Sequence, residues 1–292
     1  MNHLSGTAVD ALALSDEDRI QYILGERWIE YPAVTKALED LGGLLYQPKI
    51  YRMPNRLIVS ETNNGKTSLI RRFLSLHERL ESSSDDHSFI PVLLLQAPWE
   101  PNVRLFLSAI LESVNMPHFS RQRTEEQFQQ VQKLLPKLGV RMLIIDEINN
   151  LIAGSNARQR VFLNVIKSFS NELMIPIVAA GTYEAFNAIR VDPQIANRFL
   201  PIELPRWGNN ADFRRLLRSF EAFLPLQRAS DLSRPEMALR LNLMCEGTIG
   251  ELSLLLNTAA IEAIGHEEAI TDHVLDRIPW VPPSGRKGRR SG

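Results

Sequence analysis

Short apolar runs alternate with amphipathic stretches along most of the 292-residue chain. Uninterrupted runs rich in Val, Ile and Leu are typical of strands buried on both faces of a parallel sheet, and apolar residues spaced by 3.6 positions are typical of helices. The apolar runs cover residues 56–59, 89–97, 140–147, 175–182 and 200–204. Because helical stretches separate them, the pattern predicts an α/β fold with a parallel five-stranded sheet.

The pattern changes after Pro205, where only helical stretches follow. These stretches cover residues 212–224, 235–245, 249–265 and 271–278. We therefore expect the chain to have four parts. They are a flexible N-terminus (1–14), an α/β domain that begins with helices (15–205), an α-helical lid (206–280) and a basic flexible tail (281–292).

The composition is that of a globular protein, because 44% of the residues are hydrophobic and 23% are charged. No apolar run reaches the roughly 18–20 residues of a membrane span, and the N-terminus lacks a signal-peptide pattern. The single cysteine, Cys245, excludes an intrachain disulfide and a cysteine-based zinc cluster. We therefore expect a soluble cytoplasmic protein without a membrane partner. With a formal net charge of −1, any binding to nucleic acid would need local basic patches.

A polar turn follows the first apolar run and opens directly into a helical stretch. We predict that its residues bind ATP, and they are Ser60, Glu61, Thr62, Asn63, Asn64, Gly65, Lys66, Thr67 and Ser68. The turn ends in Gly-Lys-Thr, as a phosphate-binding P-loop does, and such a loop points backbone N–H groups and a helix N-terminus at one anion. Gly65 leaves room for the phosphate oxygens, Lys66 would contact the β- and γ-phosphates, and Thr67 would bind Mg²⁺.

Ser60 stands where the first glycine of the P-loop motif is expected. That position makes the turn out of the strand, so a small residue can serve if its backbone dihedral angles stay in the allowed regions. The alternative is an ordinary strand–turn–helix in which Lys66 is exposed. A second motif later in the chain favours the P-loop.

The run 140–147 ends in two carboxylates, Asp146 and Glu147. A buried parallel strand delivers such acids at its C-terminal edge, where ligands collect in open α/β sheets. Asp146 fits the Walker B role of binding Mg²⁺, and Glu147 fits the general base that orients a water molecule for attack on the γ-phosphate. The alternative is a strand that ends in a solvated acidic turn. Together with Gly-Lys-Thr, the pair favours a site for ATP and Mg²⁺.

The order of the motifs bears on the reaction. The run 89–97 lies between the P-loop and the two acids, as it does in the additional-strand class of P-loop ATPases. Nucleoside and nucleotide kinases place the two motif strands side by side and lack the glutamate that follows the Walker B aspartate. The order therefore favours ATP hydrolysis over phosphoryl transfer to a metabolite.

Further polar residues are candidates for a catalytic role in such an ATPase. Thr182 fits the sensor 1 position at the end of the run 175–182, and its alternative role is the N-cap of the next helix. Arg198 precedes the last apolar run, where AAA+ ATPases carry an arginine finger that reaches the nucleotide of a neighbouring subunit. Arg190 is the weaker candidate for the finger. Glu251 stands where many AAA+ lids carry a sensor 2 arginine, so we assign no such arginine.

Two aromatic residues, Trp28 and Tyr31, precede the P-loop strand. Many nucleotide-binding folds place adenine contacts there, and we predict that both residues contact ATP. The alternative is a hydrophobic staple that fixes the start of the next helix.

Five segments carry a resemblance to a known family. They are Glu30-Tyr31-Pro32, Arg52-Met53-Pro54-Asn55-Arg56-Leu57-Ile58-Val59, Asn63-Asn64-Gly65-Lys66-Thr67, Ile145-Asp146-Glu147-Ile148-Asn149-Asn150-Leu151 and Ala179-Ala180-Gly181-Thr182. With them the chain resembles the TniB family of AAA+ ATPases from bacterial transposons, which are similar to TnsC and more distantly to MuB. The resemblance covers most of the chain, from about Arg19 to the predicted lid.

The resemblance implies a regulator of transposition. ATP-bound subunits of such proteins form a homo-oligomer, a ring or a helical filament, on double-stranded DNA with little sequence preference. They recruit or activate a DDE transposase, work with a TniQ-type targeting protein and disassemble on hydrolysis. A bacterial cytoplasmic protein associated with the nucleoid is therefore expected.

Binding to the phosphate backbone of duplex DNA needs lysines or arginines but no base-reading element. The candidates are Arg104, at the start of the helix after the run 89–97, and Arg121 and Arg123 in a basic loop. The alternative for each is an ordinary exposed arginine. Two other functions remain open at this point: a helicase loader or replication-initiation ATPase, and a nucleotide-gated DNA scaffold with little hydrolysis.

Overall fold

The computed structural model describes residues 3–77, 89–117, 122–152, 156–190 and 196–286. The chain divides into two compact units. One unit contains Met1–Tyr31, Asn63–Gly65 and Pro205–Gly292, and the other contains Pro32–Thr62 and Lys66–Leu204. The second unit holds the sheet and is called the α/β unit below, whereas the first is called the helical unit.

The α/β unit is built on a five-stranded sheet in which all neighbouring strands are parallel. The strands are β1 (Asn55–Val59), β2 (Val92–Gln96), β3 (Met142–Asp146), β4 (Ile177–Gly181) and β5 (Phe199–Glu203). Their order across the sheet is β2-β3-β4-β1-β5. Every residue of β3 and β4 is buried, as expected for central strands covered on both faces. The predicted α/β fold with a parallel five-stranded sheet is confirmed.

The helices of the described ranges alternate with these strands up to Glu203 and then follow one another without a further strand. They are α1 (Gly6–Ala11), α2 (Asp16–Leu24), α3 (Pro32–Leu45), α4 (Lys66–His77), α5 (Val103–Ser113), α6 (Thr124–Lys137), α7 (Asn149–Ile152), α8 (Asn156–Leu173), α9 (Tyr183–Arg190), α10 (Ala211–Glu221), α11 (Pro235–Cys245), α12 (Ile249–Ala263), α13 (Asp272–Arg277) and α14 (Pro283–Arg286). No helix in these ranges is both long and apolar enough to cross a bilayer.

The core of the α/β unit contains aromatic side chains that join its helices. Phe106 of α5 meets Phe162 and Phe169 of α8 edge-on, with ring centroids 5.2 and 6.0 Å apart. All three rings are almost completely buried. Edge-on pairs of this kind contribute about 0.5–1.5 kcal/mol each beyond the burial of their area. Helices α5 and α8 are therefore firmly fixed in this unit.

The sheet order refines one sequence-based expectation. The run 89–97, which lies between the two motifs in sequence, forms β2 at the edge of the sheet rather than between the motif strands. The strand inserted between β1 and β3 is β4. A strand whose sequence follows both motifs therefore separates them in space. The additional-strand arrangement is present, but a different strand supplies it.

The N-terminal residues differ from the expected division of the chain. Residues 1–14 were expected to be flexible and 15–31 to belong to the α/β domain, yet α1 and α2 belong to the helical unit. Ala8 and Ala11 of α1 are buried, and the Ser5 N–H donates to the Ala222 carbonyl over 2.7 Å. Ile23 of α2 is fully buried in the apolar core that α10–α12 form. Burial of these small and apolar side chains accounts for the difference.

The predicted flexible tail, 281–292, also contains structure. Residues 283–286 form α14, and the Arg286 guanidinium lies 4.9 Å from the Trp280 ring centroid. A cation over the face of tryptophan is a stabilising contact. The remaining residues of the predicted tail, 287–292, lie outside the described ranges.

Candidate nucleotide-binding and hydrolysis site

The loop after β1 has the backbone that the P-loop prediction requires. Positive φ angles occur at Asn63 (58°) and Gly65 (88°) but not at Ser60. Asparagine and glycine tolerate this region, whereas most other residues are strained there. The Ser60 N–H donates to the Gly181 carbonyl over 3.2 Å, which extends the pairing of β1 with β4. Serine therefore fills the first glycine position without backbone strain.

Lys66, the first residue of α4, is held inside the loop. Its side chain is buried, and Nζ donates to the Ser60 carbonyl (3.1 Å), Ser60 Oγ (3.2 Å) and the Glu61 carbonyl (2.9 Å). Burial lowers the pKa of Lys66, while the carboxylates of Glu147, Asp146 and Glu61 act in the opposite direction. The alternative with an exposed lysine is wrong, because the Lys66 side chain is buried and its ammonium group is held by oxygen atoms of Ser60 and Glu61.

The two motifs meet through a direct hydrogen bond. Thr67 Oγ1 donates to Asp146 Oδ2 over 2.9 Å, and Asp146 Oδ1 accepts from the Glu147 N–H over 2.9 Å. Asp146 is the last residue of β3 and is buried, whereas Thr67 lies exposed in the first turn of α4. A hydroxyl and a carboxylate are hard oxygen ligands of the kind that Mg²⁺ prefers. The residues present therefore fit the predicted metal role of Thr67 and Asp146.

Glu147 follows the strand in a left-handed conformation, with φ of 56°. Its Oε2 accepts a hydrogen bond from Asn149 Nδ2 over 3.3 Å. Asn149 Oδ1 in turn accepts from the Thr182 N–H (2.9 Å) and from Thr182 Oγ1 (3.1 Å). The Thr182 hydroxyl thus donates to Asn149, and its sensor 1 role stays a prediction. The structure brings Glu147 and Thr182 together through one amide.

Sequence reasoning did not assign a role to Asn149. The only available signal was its place in the Asp-Glu-Ile-Asn-Asn segment, because its contact with Thr182 joins residues 33 positions apart.

The remaining loop residues are distributed over the two units. Thr62 and Ser68 are exposed in the α/β unit. Asn63 and Asn64 belong to the helical unit, where Asn63 Nδ2 donates to Glu251 Oε1 (3.0 Å) and Asn64 Nδ2 to the Pro205 carbonyl (3.2 Å). Glu251 also pairs with Arg286 over 2.8 Å. The residue at the expected sensor 2 position is therefore an acid that binds a P-loop asparagine and an arginine.

Trp28 and Tyr31 also belong to the helical unit. The Tyr31 ring meets the Trp207 ring edge-on with centroids 4.9 Å apart, and burial raises the pKa of Tyr31 to about 12. Their assignment to adenine contacts stays a prediction.

Arg198 lies at the amino-terminal edge of the sheet, whereas the motif residues lie at its carboxyl edge. Its carbonyl accepts from the N–H of Asn55, the first residue of β1, over 3.0 Å. A five-residue strand spans about 15 Å, so this backbone is far from the loop that follows β1. The Arg198 guanidinium donates to Asn171 Oδ1 over 2.8 Å, and burial together with the nearby Arg52 lowers its pKa. A role toward its own P-loop is excluded by distance, whereas the finger role toward a neighbour stays a prediction.

The weaker candidate for the finger, Arg190, lies at the end of α9. Its guanidinium packs 5.2 Å from the centroid of the Phe186 ring. This contact gives it a role within its own helix.

The predicted DNA-contacting arginines lie at the starts of two helices. Arg104 is in the first turn of α5, where Asn102 caps the helix by accepting from the Arg104 N–H over 2.9 Å. Arg123 is exposed at the start of α6, and Arg121 lies outside the described residues. The loop that leads from β2 to α5 also exposes Trp99, at 78%. Since α5 follows β2, Arg104 and Trp99 lie near the carboxyl edge of the sheet.

Comparisons with known proteins agree with this architecture. The structure is similar to the Aeropyrum pernix ORC1 protein in complex with DNA (TM-score 0.63, 21% identity, covering 88% of this chain and 67% of that one). It is also similar to Cdc6p from Pyrobaculum aerophilum (0.58, 14%, 88% and 68%) and to the Aeropyrum pernix ORC2 protein in its ADPNP-ADP complexes (0.57, 15%, 87% and 69%). At these identities the similarity shows the fold alone, which is an α/β fold of the P-loop type.

The sequence comparisons identify the family. No curated protein matches the chain. A family model described as bacterial TniB protein matches residues 19–209, which is more than half of the 292 residues. The match does not show similarity to TnsC or MuB, and the similarity to those proteins stays a prediction. Because the family model matches residues 19–209, the chain belongs to the TniB family.

Proposed function

We propose that this protein is an ATP-hydrolysing switch that oligomerises on duplex DNA and recruits or activates a DDE transposase at target sites. One observation carries the ATPase part: Thr67, Asp146, Glu147 and Thr182 converge through hydrogen bonds at the carboxyl ends of β3 and β4 and the start of α4. Ligands bind at this edge of open α/β sheets. Membership of the TniB family supports the transposition part.

The residues of the site divide the chemistry among themselves. Lys66 would exchange its loop oxygens for the β- and γ-phosphate oxygens of ATP. Thr67 and Asp146 would hold Mg²⁺, which neutralises charge on the phosphates when bound. Glu147 would orient the attacking water and accept its proton, and Thr182 would donate its hydroxyl toward the γ-phosphate.

Assembly rests on residues that cannot act within one subunit. Arg198 lies across the sheet from the P-loop of its own chain, so in the proposed finger role its guanidinium would serve the nucleotide of a neighbour. With that role, assembly would depend on ATP, because such a site is complete only at an interface. Arg104 and Arg123 would contact DNA phosphates, and the fold shared with an ORC1 protein solved in complex with DNA is compatible with that role.

ATP hydrolysis measured with and without DNA tests the proposal. Two variants test ATP binding and catalysis separately. Lys66→Ala should lose ATP binding, because it removes the cation that contacts the phosphates. Glu147→Gln should keep ATP binding and lose turnover by about 10²–10⁴-fold, because the amide cannot accept the proton. Fluorescent-nucleotide titration and phosphate release measure the two quantities. Normal hydrolysis by Lys66→Ala would overturn the P-loop assignment.

Two outcomes would favour the other functions. ATP binding without measurable hydrolysis in the wild type, even with DNA, would favour the nucleotide-gated scaffold. ATP-dependent capture of a replicative helicase in place of a transposase would favour the loader.

A further inference from the structure

The side-chain amide of Asn149 uses both of its ends inside the candidate site. Nδ2 donates to Glu147 Oε2 over 3.3 Å, and Oδ1 accepts from the N–H and the hydroxyl of Thr182 over 2.9 and 3.1 Å. The residues that directly follow β3 and β4 are thereby connected through one side chain. The described residues offer no other hydrogen-bonded link between Glu147 and Thr182.

The surrounding backbone fixes this amide in place. The Ile148 N–H donates to the Ala180 carbonyl (2.9 Å), and the Asn150 N–H donates to the Glu147 carbonyl (3.1 Å). A Cβ on Gly181 would lie 2.9 Å from Asn149 Oδ1 and 2.7 Å from the Ile148 side chain. Glycine at 181 therefore makes the room that the Asn149 side chain occupies.

We propose that Asn149 is a positioning residue that couples the state of Thr182 to the orientation of the Glu147 carboxylate. The inference rests on the proposed ATPase function and assigns to it a residue that would act through Glu147 and Thr182. With Oε2 held by the amide, the other carboxylate oxygen is directed to the water that must lose a proton. A base held in one orientation is more effective than one that samples several.

The coupling runs through the acceptor Oδ1. When the Thr182 hydroxyl turns to a γ-phosphate oxygen, Oδ1 keeps only the bond from the Thr182 N–H. The Asn149 amide then changes its hydrogen bond to Glu147, so the orientation of the general base depends on whether the γ-phosphate is bound. Hydrogen-bond networks of this kind are coupled beyond the sum of their pairs.

Three variants test the inference. Asn149→Asp keeps an acceptor for the Thr182 N–H but loses the donor to Glu147, and Asn149→Ala loses both. Asn150→Asp is the matched control, because it places the same charge at the next position of α7, where the described residues make no hydrogen bond to the side chain. Steady-state hydrolysis, ATP affinity and thermal melting are measured for each variant with duplex DNA present.

The expected result is a fall in kcat of about 10–100-fold for both Asn149 variants, with ATP affinity within about twofold of wild type. The melting temperature should be unchanged for Asn149→Asp, and Asn150→Asp should behave as wild type. In addition, Asn149→Ala combined with Thr182→Val should lower kcat by less than the product of the single effects, because both act through one network.

Each other outcome overturns a distinct claim. Wild-type kcat in both Asn149 variants would overturn the positioning role and leave the ATPase function intact. A loss of ATP binding or of melting temperature in proportion to the loss of kcat would mean that Asn149 is only structural. A wild-type protein that binds ATP without turnover would overturn the proposed function, and the inference with it.

Discussion

Lys66 has one ammonium proton for each of the three oxygen atoms to which it donates, and one of these atoms is the hydroxyl of Ser60. A glycine at position 60 would leave only the two carbonyl oxygens. The Ser60 hydroxyl also donates to the Glu61 carbonyl over 2.9 Å. At the scale of single residues, the departure from the P-loop motif therefore changes the environment of the lysine more than the backbone of the loop.

Replacing Ser60 by alanine should tighten ATP binding. The Ser60 hydroxyl competes with phosphate for Lys66, and a hydrogen bond of this kind contributes about 0.5–1.5 kcal/mol. Its removal should lower the dissociation constant of ATP by about twofold to tenfold, as measured by titration with a fluorescent nucleotide. The matched control is Ser75→Ala on the exposed surface of α4, which should leave affinity unchanged. Weaker binding by Ser60→Ala would instead make the hydroxyl itself a ligand of the nucleotide.

The residues of the site were predictable to different degrees. Lys66, Thr67, Asp146 and Glu147 stand in contiguous motifs whose chemistry follows from spacing alone. The role of Asn149 was not predictable, because it depends on contact with Thr182, which follows β4 and is 33 positions away in the sequence. The contact of Glu251 with Asn63 was missed for the same reason, since the two residues are 188 positions apart.

At the scale of elements, the apolar runs located every strand of the sheet to within a few residues. The short helices α1, α7 and α14 were not predicted, because six or four residues are too few to show a helical period. The strand order could not be read from the runs either. It depends on crossover connections, which place β4 between the two motif strands.

The position of α2 in the helical unit is fixed by a buried charge. Arg19 of α2 is 3% exposed and donates to Glu268 over 2.5 Å, to Asp16 over 3.0 Å and to the Pro225 carbonyl over 2.7 Å. Glu268 lies between α12 and α13 and accepts from the Gly265 N–H over 2.9 Å. Burial by itself would raise the pKa of Glu268, but the hydrogen bonds from Arg19 and the backbone outweigh it, and the pKa is lowered.

Stability should depend on pH through Glu268. Because the pKa of Glu268 is lower in the folded protein, the ionised carboxylate makes its full contribution to the free energy of unfolding above the unfolded-state pKa of about 4.3. This contribution is lost as the pH falls through the folded-state pKa. Glu268→Gln should lower the free energy of unfolding by about 1.5–3 kcal/mol at pH 7, and by less in acid. Urea titrations at both pH values measure the difference.

A surface pair provides the control for this experiment. Glu262→Gln removes the partner of Arg277 in a bridge whose side chains are 41% and 35% exposed, and its cost should stay below about 1 kcal/mol. If Glu268→Gln lowered the free energy of unfolding by the same amount at pH 7 and in acid, the result would contradict the assignment of the stabilisation to the ionised carboxylate.

At the scale of the whole molecule, the opposed locations of Arg198 and the P-loop predict catalysis between subunits. Arg198→Ala should leave ATP binding by the monomer intact and lower DNA-stimulated turnover by about 10²-fold or more. Arg215→Ala is the control, since this arginine is exposed and pairs with Asp212 of its own helix. Phosphate release and analytical ultracentrifugation measure turnover and assembly.

Mixing subunits sharpens this prediction. Lys66→Ala subunits keep the finger and lose the P-loop lysine, whereas Arg198→Ala subunits have the reverse defect. Mixtures should regain part of the ATP hydrolysis at interfaces where one subunit supplies an intact Lys66 and its neighbour supplies an intact Arg198. Wild-type activity in Arg198→Ala alone would place the finger elsewhere.

The net charge of the chain affects how strongly a single subunit can bind DNA. Thirty-three basic residues and thirty-four acidic ones give a formal charge of −1, so one subunit lacks the bulk attraction of a basic protein. Repetition of a small patch along an oligomer would supply the phosphate contacts that one subunit lacks. Strong binding should therefore require assembly.

The affinity for duplex DNA, measured with and without a non-hydrolysable ATP analogue over a range of salt concentrations, tests the central claim most directly. Fluorescence anisotropy on two duplexes of unrelated sequence is sufficient. We expect tight binding only with the analogue, little difference between the sequences, and a log–log salt slope of about −0.9 for each phosphate neutralised. Neutralising Arg104 and Arg123 together should flatten this slope without changing ATP affinity. Tight, sequence-selective binding by the nucleotide-free monomer would contradict the account of an ATP-dependent switch on DNA.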